Sequence, residues 1–121
     1  MKVKTSELIG SALDWAVAVC EFDNPSIHGG VVHAAQEYMP FQPSTDWSQG
    51  GPIINQEIGN LWKHNKLDPN EPDVWTAVAY YKAPDGTMLY YEDGPTPLIA
   101  AMRCYVASKL GDEVDIPEKL I

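Results

Sequence analysis

The sequence predicts an α+β fold: a small antiparallel sheet around a central hairpin at about 74–91, sandwiched by helices at about 5–20, 52–62 and 96–110. Three observations predict it. Residues 74–81 and 87–91 alternate and are rich in β-formers. Between them Ala83-Pro84-Asp85-Gly86 fits a hairpin turn in which Gly86 supplies a positive φ. Before and after this hairpin, apolar residues recur at helical spacing.

The first helix takes Thr5 or Ser6 as its cap. Leu8, Ala12, Trp15 and Val19 form its stripe, widened by Ile9, Leu13, Ala16 and Cys20, and Asp14 lies between two apolar flanks. A long loop follows over about 21–51, dense in Gly, Pro, Ser and Asn. Asn24-Pro25-Ser26 and Gly29-Gly30 are turn signals, and residues 31–33 suit a short strand. Tyr38-Met39-Pro40-Phe41-Gln42-Pro43 reads as extended and aromatic.

Pro52 suits the first turn of the second helix, whose greasy side is Ile53, Ile54, Ile58, Leu61 and Trp62. Residues 63–73 form a polar connection. On the hairpin, Trp75, Ala77, Ala79 and Tyr81 share one face and Val74, Thr76, Val78 and Tyr80 the other. Both faces are apolar, so both are expected to be covered. The closing helix carries its own start and stop: Thr96 as cap, Pro97 at the first position and Gly111 at the end. Ile99, Met102, Val106 and Leu110 line it, with Arg103 beside that stripe. The acidic tail after Gly111 is expected to fray or to make contacts between chains.

At 121 residues the chain makes one domain. Eight basic residues against seventeen acidic ones give a net charge of −9. That balance argues against nucleic-acid partners and against an anionic membrane surface. The acids are scattered, which disfavours mimicry of a polyanion. Cys20 and Cys104 fall on apolar helix faces and read as buried thiols of a cytosolic protein. No apolar signal segment or membrane-length run is present, so the expected location is the host cytosol. Apolar residues on many faces of so small a domain suggest a homo-oligomer.

Four stretches carry a resemblance: Leu13-Asp14-Trp15-Ala16-Val17-Ala18, Pro43-Ser44-Thr45-Asp46-Trp47, Gly50-Gly51-Pro52-Ile53-Ile54 and Gly94-Pro95-Thr96-Pro97-Leu98-Ile99-Ala100-Ala101-Met102-Arg103-Cys104-Tyr105-Val106. Together and in this order they resemble the phage NinX-like family, small proteins of lambdoid phages and prophages with no settled function. A weaker similarity reaches the phage α-β-α sandwich domains. It implies a helix–sheet–helix architecture and no chemistry.

His28, His33 and His64 have no metal-type spacing, and Cys20 and Cys104 lie far apart, so no metal and no cofactor is expected. Ser44, Asp46, Ser48 and His33 are the residues a small hydrolase would use, but no nucleophile elbow accompanies them, and no catalytic residue is assigned. Gln49-Gly50-Gly51-Pro52 could present backbone amides to an anion at a helix start, or could be a tight turn needing positive φ. Trp47, Trp15, Tyr38 and Phe41 could form an aromatic wall. Arg103 should pair with Asp14 or Asp46, or face a ligand beside Trp47. The candidate ligand site is therefore Ser44, Thr45, Asp46, Trp47, Gln49, Gly50, Gly51 and Arg103, with Asp14 and Trp15. The favoured role is a non-enzymatic phage accessory protein that binds or sequesters a small nucleotide-like ligand such as a host defence signal. The alternatives are a protein-interaction module acting on a host or phage protein, and a small hydrolase.

Overall fold

The computed structural model describes residues 1–34 and 39–121, apart from the side chains of Lys82 and Ala83. In chain order the elements are β1 (Lys2–Lys4), α1 (Gly10–Glu21), β2 (Ser26–His28), β3 (Val31–His33), α2 (Trp47–Glu57), β4 (Asn60–Lys63), β5 (Trp75–Ala83), β6 (Gly86–Gly94), α3 (Pro97–Leu110) and β7 (Glu113–Asp115). The class is α+β. Its centre is the expected hairpin, β5 with β6, turning over Pro84-Asp85 into Gly86 at φ 142°. β4 adds to the other edge of β5, giving an antiparallel three-stranded sheet in the order β4-β5-β6.

The helix α3 is the hub. Nearly every residue of it from Leu98 to Ala107 is buried, as expected for a helix covered all round. One side lies on the sheet, over the fully buried Ala77 and the nearly buried Ala79. These small residues allow close approach. At Gly94 a Cβ would stand only 2.6 Å from the Ala100 amide nitrogen, so the end of β6 runs against the first turn of α3. The Cys104 thiol donates to the Tyr90 carbonyl at 3.1 Å. The helices α1 and α2 pack on α3 rather than on the sheet. The fully buried Leu13, Val17, Met102 and Val106 belong to this helical core, and burying each contributes about 1.5–3 kcal/mol.

The layering differs from a helix–sheet–helix sandwich. The described helices lie on one side of the sheet, and among the described residues no helix covers its other face. By register that open face carries Asn60, Trp62, Thr76, Val78, Tyr80, Leu89, Tyr91 and Asp93. Only Thr76 and Val78, on the central strand, are buried there; Trp62, Tyr80, Leu89 and Tyr91 are exposed. Alternation shows that a strand has an apolar second face. It does not show that another element covers it.

Two helix boundaries move. The first helix begins at Gly10, not near Thr5, because Thr5–Glu7 forms a 3-10 turn and Leu8 and Ile9 are extended. Thr5 caps nothing; its hydroxyl donates to the Gly111 carbonyl at 2.6 Å. The second helix begins at Trp47 and ends at Glu57, which places Pro52 inside it. Residues 60–63 are strand β4 rather than the end of a helix. Gly59 makes the switch: its amide donates to the Val78 carbonyl, and the Tyr80 ring occupies the space that a Cβ would fill. A short apolar run such as Ile58, Leu61 and Trp62 fits either period.

The expected strand at 31–33 is real and pairs with β2 across Gly29-Gly30, at φ 59° and 76°, as in a type I′ hairpin. The acidic tail does not fray. β7 pairs with β1, matching Val3 to Val114, and Ile116 is fully buried.

Candidate functional site

At the entry to α2, the side chains read from the sequence as a ligand site mostly hold the chain together. The Asp46 carboxylate caps α2, accepting from the Ser48 amide at 2.9 Å and the Ser48 hydroxyl at 2.7 Å. Gln49 clamps the preceding loop: its Oε1 accepts from the Gln42 amide and its Nε2 donates to the Pro40 carbonyl. Gly50 and Gly51 have helical backbone, and neither has a positive φ. They are not a phosphate-cradling turn. Gly50 is needed for space, since a Cβ there would collide with the Pro43 carbonyl and the Leu98 side chain. At Gly51 the space is open.

Asp14, on α1, is buried and accepts from the Ser44 amide at 2.9 Å. Burial pushes its carboxyl up to about 6, against the pull of Ser44. Trp15 is half-buried against the core. Phe41 is buried edge-on against Phe22, at 5.0 Å between ring centres. Trp47 alone of these rings stands out, 55% exposed. Tyr38 lies outside the described residues, and the other three rings do not form one wall. Ser44, Thr45 and Trp47 do line a common pocket of about 230 Å³, closed on its other side by Thr96, Pro97, Leu98 and Ile99.

Arg103 is not there. It lines a second, larger cleft of about 520 Å³ with Ser6, Asp73, Tyr91, Glu92 and Asp93. Its Nε donates to the Leu8 carbonyl at 2.7 Å and a terminal nitrogen to the Asp93 carbonyl at 2.8 Å. It therefore pairs with neither Asp14 nor Asp46, but ties the segment before α1 to the end of β6. Burial depresses its pKa while Glu92 and Asp93 oppose the shift; burial raises Glu92, with Arg103 opposing. Asp73 is held below the usual carboxylate range by Lys66 at 2.8 Å, with Lys63 beside it.

The sequence reading passed over the open face of the sheet. Three side chains there form a chain, from the residue just after β4 across β5 to β6. The Thr76 hydroxyl donates to Asp93 Oδ1 at 2.5 Å, and His64 Nε2 lies 2.5 Å from the same hydroxyl. Since the Thr76 proton goes to Asp93, the hydroxyl accepts from His64, which fixes the proton on Nε2. The His64 ring stacks parallel to Trp62, 6.4 Å between centres. The signal was present in the sequence as Thr76 and Tyr80 alternating on one face, but pairing with Asp93 and His64 depends on register.

The two thiols are free and suppressed. Burial drives both Cys20 and Cys104 up to about 12.

Fold and surface together define an acidic α+β domain with a one-sided helical layer and a bare aromatic sheet. A family model described as Bacteriophage P22, NinX matches residues 4–109, and the chain belongs to that family, as its motifs implied. No curated protein matches the chain. Among the described residues no helix is long and apolar enough to cross a membrane.

Proposed function

We propose that this phage-family protein is an accessory protein that acts by docking onto another protein through the bare face of its sheet. One observation carries the reading: Trp62, Tyr80, Leu89 and Tyr91 stand together on that face, with Tyr80 59% and Tyr91 58% exposed. Tyrosine and tryptophan are the side chains that most often anchor protein interfaces. A large exposed apolar patch on a small domain is otherwise a liability. The Tyr80 ring packs over Gly59, where a Cβ would displace it. Aromatic sheet faces also bind single-stranded nucleic acid, but they do so with a basic surround, and this chain carries −9.

The competing readings gain less support. Sequestering a nucleotide calls for Trp47, the glycines and Arg103 on one surface, whereas Arg103 lines the other cleft with two donors engaged by carbonyls. A hydrolase built on Asp46 and Ser48 would need groups that are tied into a helix cap.

The test is site-specific capture from phage-infected cells. A photo-crosslinking side chain at Tyr80 should give a discrete protein adduct, and the same side chain at Val19 on α1 should not. Tyr80→Ala with Tyr91→Ala should weaken binding of the captured protein at least thirty-fold, roughly 2 kcal/mol or more, with thermal stability little changed. Equal adducts from both positions, or binding indifferent to the double substitution, would overturn the proposal.

A further inference from the structure

The outer edge of β6 carries main-chain groups that the sheet does not use. In an antiparallel sheet, successive residues of a strand turn these groups to opposite edges. The His64 amide donates to the Val74 carbonyl, so Val74, Thr76 and Val78 turn theirs toward β4, and Trp75, Ala77 and Ala79 turn theirs toward β6. By the same register Thr87, Leu89, Tyr91 and Asp93 turn theirs away from the sheet. Arg103 takes the Asp93 carbonyl. The amides and carbonyls of Thr87, Leu89 and Tyr91 have no partner among the described residues. Natural edges are commonly blunted by a charge, a proline or a bulge. From Thr87 to Tyr91 this strand has no charge and no proline, and it pairs with β5 residue for residue.

The side chains along this edge are apolar on both faces. Leu89 and Tyr91 stand exposed on the bare face. Met88, and Tyr81 opposite it on β5, stand on the helix side, yet they are 51% and 48% exposed. A protein lying on the bare face covers the first pair and leaves the second. A strand added beside β6 flanks both. We infer that the occupant is a second copy of this chain, its β6 antiparallel to the first across a two-fold axis at Leu89. The stretch complements itself in that register. Leu89 faces Leu89 of the second copy and Thr87 faces its Tyr91, and each pair exchanges two main-chain hydrogen bonds. Every free amide and carbonyl from Thr87 to Tyr91 is thereby satisfied. On the helix side Met88 meets Tyr90 of the second copy, a sulfur–aromatic pair. With −9 on each copy, an uncharged strand is where two copies approach with least repulsion. Just beyond the paired stretch Asp93 comes beside Asp85 of the second copy, so the association tightens with added salt. The two bare faces join into one platform.

The experiment is sedimentation equilibrium of the whole protein, joined to oxidative crosslinking of cysteine variants. The chain should reach a two-chain mass, and more tightly at physiological than at low salt. Leu89→Lys sets two ammonium groups against each other across the axis and should weaken association about tenfold or more. Mild oxidation should link Leu89→Cys to its copy, since the Cα atoms of such a pair lie about 5.5 Å apart, within disulfide reach. Thr87→Cys should not link, because its two copies stand about 14 Å apart along the strands. The native thiols, both raised by burial, do not compete. Thermal melts show that each variant is folded, and the crosslinks decide the matter should Leu89→Lys not fold. A chain that stays monomeric up to about 1 mM overturns the proposal. So do association that weakens with salt, a dimer indifferent to Leu89→Lys, and linking at Thr87→Cys as ready as at Leu89→Cys. Capture of another protein at Tyr80 does not depend on these results, so the two proposals fail separately.

Discussion

Asp14 sits in the apolar interior with its carboxyl raised to about 6 and the Ser44 amide as its hydrogen-bond donor. In the unfolded chain this group has the ordinary value of 3.8. The folded state therefore binds more protons between those two values, and stability falls as pH rises from about 4 to about 6. The loss is on the order of 3 kcal/mol and is complete above that window. An amide in place of the carboxyl removes the titration and still accepts from Ser44. Asp14→Asn is thus expected to flatten the decline between about pH 4 and 6 and to leave the protein at least as stable at neutral pH. Urea unfolding of both proteins across that range checks it; an unchanged pH slope would rule the assignment out. Arg103 makes the complementary point. The sequence marked it as a cation beside a buried stripe, and it is so, but its partners are the carbonyls of Leu8 and Asp93. Side-chain type announces a need for a partner, whereas only the fold supplies one.

Among the elements, α3 was legible almost to the residue. Its signals are local: Thr96 accepts from the Ile99 amide, Pro97 opens the helix and Gly111 ends it at φ 90°. The second helix was not. Its Ser-Thr-Asp start does cap a helix, but five residues earlier than the Pro52 signal suggested, and two glycines followed by a proline disguised the first turns. Tertiary packing overrides propensity here, because Gly50 is the only residue type that fits against Pro43 and Leu98. The adjacent glycines should accordingly respond in opposite directions. Gly50→Ala is expected to destabilise by about 1–3 kcal/mol through overpacking, while Gly51→Ala, into open space, should stabilise by up to about 1 kcal/mol. Denaturant midpoints at constant m-value read both. Equal effects at the two sites would refute the packing argument.

At the level of the whole molecule, composition and periodicity disclosed the class and the hairpin, but not how layers stack. Whether the second face of β5 meets a helix or water depends on Trp62, and Trp62 moved from a helix to β4. The candidate site fared likewise. Ser44, Thr45 and Trp47 do share a pocket, but the wall opposite them, Thr96 to Ile99, comes from a segment some fifty residues away in sequence. The C-terminal tail was also misjudged from its polarity, since two alternate apolar residues, Val114 in β7 and Ile116 just after it, are enough to anchor it. Ile116 is fully buried, and its amide donates to the Met1 carbonyl. Ile116→Ala should therefore cost about 2–5 kcal/mol, a core-sized penalty from the acidic tail. A change under about half a kcal/mol would show that the tail is only loosely attached.

The suppressed thiols bear on how such questions can be pursued. With both sulfhydryls near 12, the thiolate fraction of Cys20 or Cys104 at pH 7.5 is on the order of 10⁻⁵ to 10⁻⁴, against about 0.1 for an exposed cysteine. Alkylation proceeds through the thiolate, so a cysteine introduced at Tyr80 or Trp47 outcompetes both native ones by about a thousandfold. The wild-type chain is already a background for maleimide chemistry, and neither core sulfur need be replaced before a fluorophore or spin label is attached.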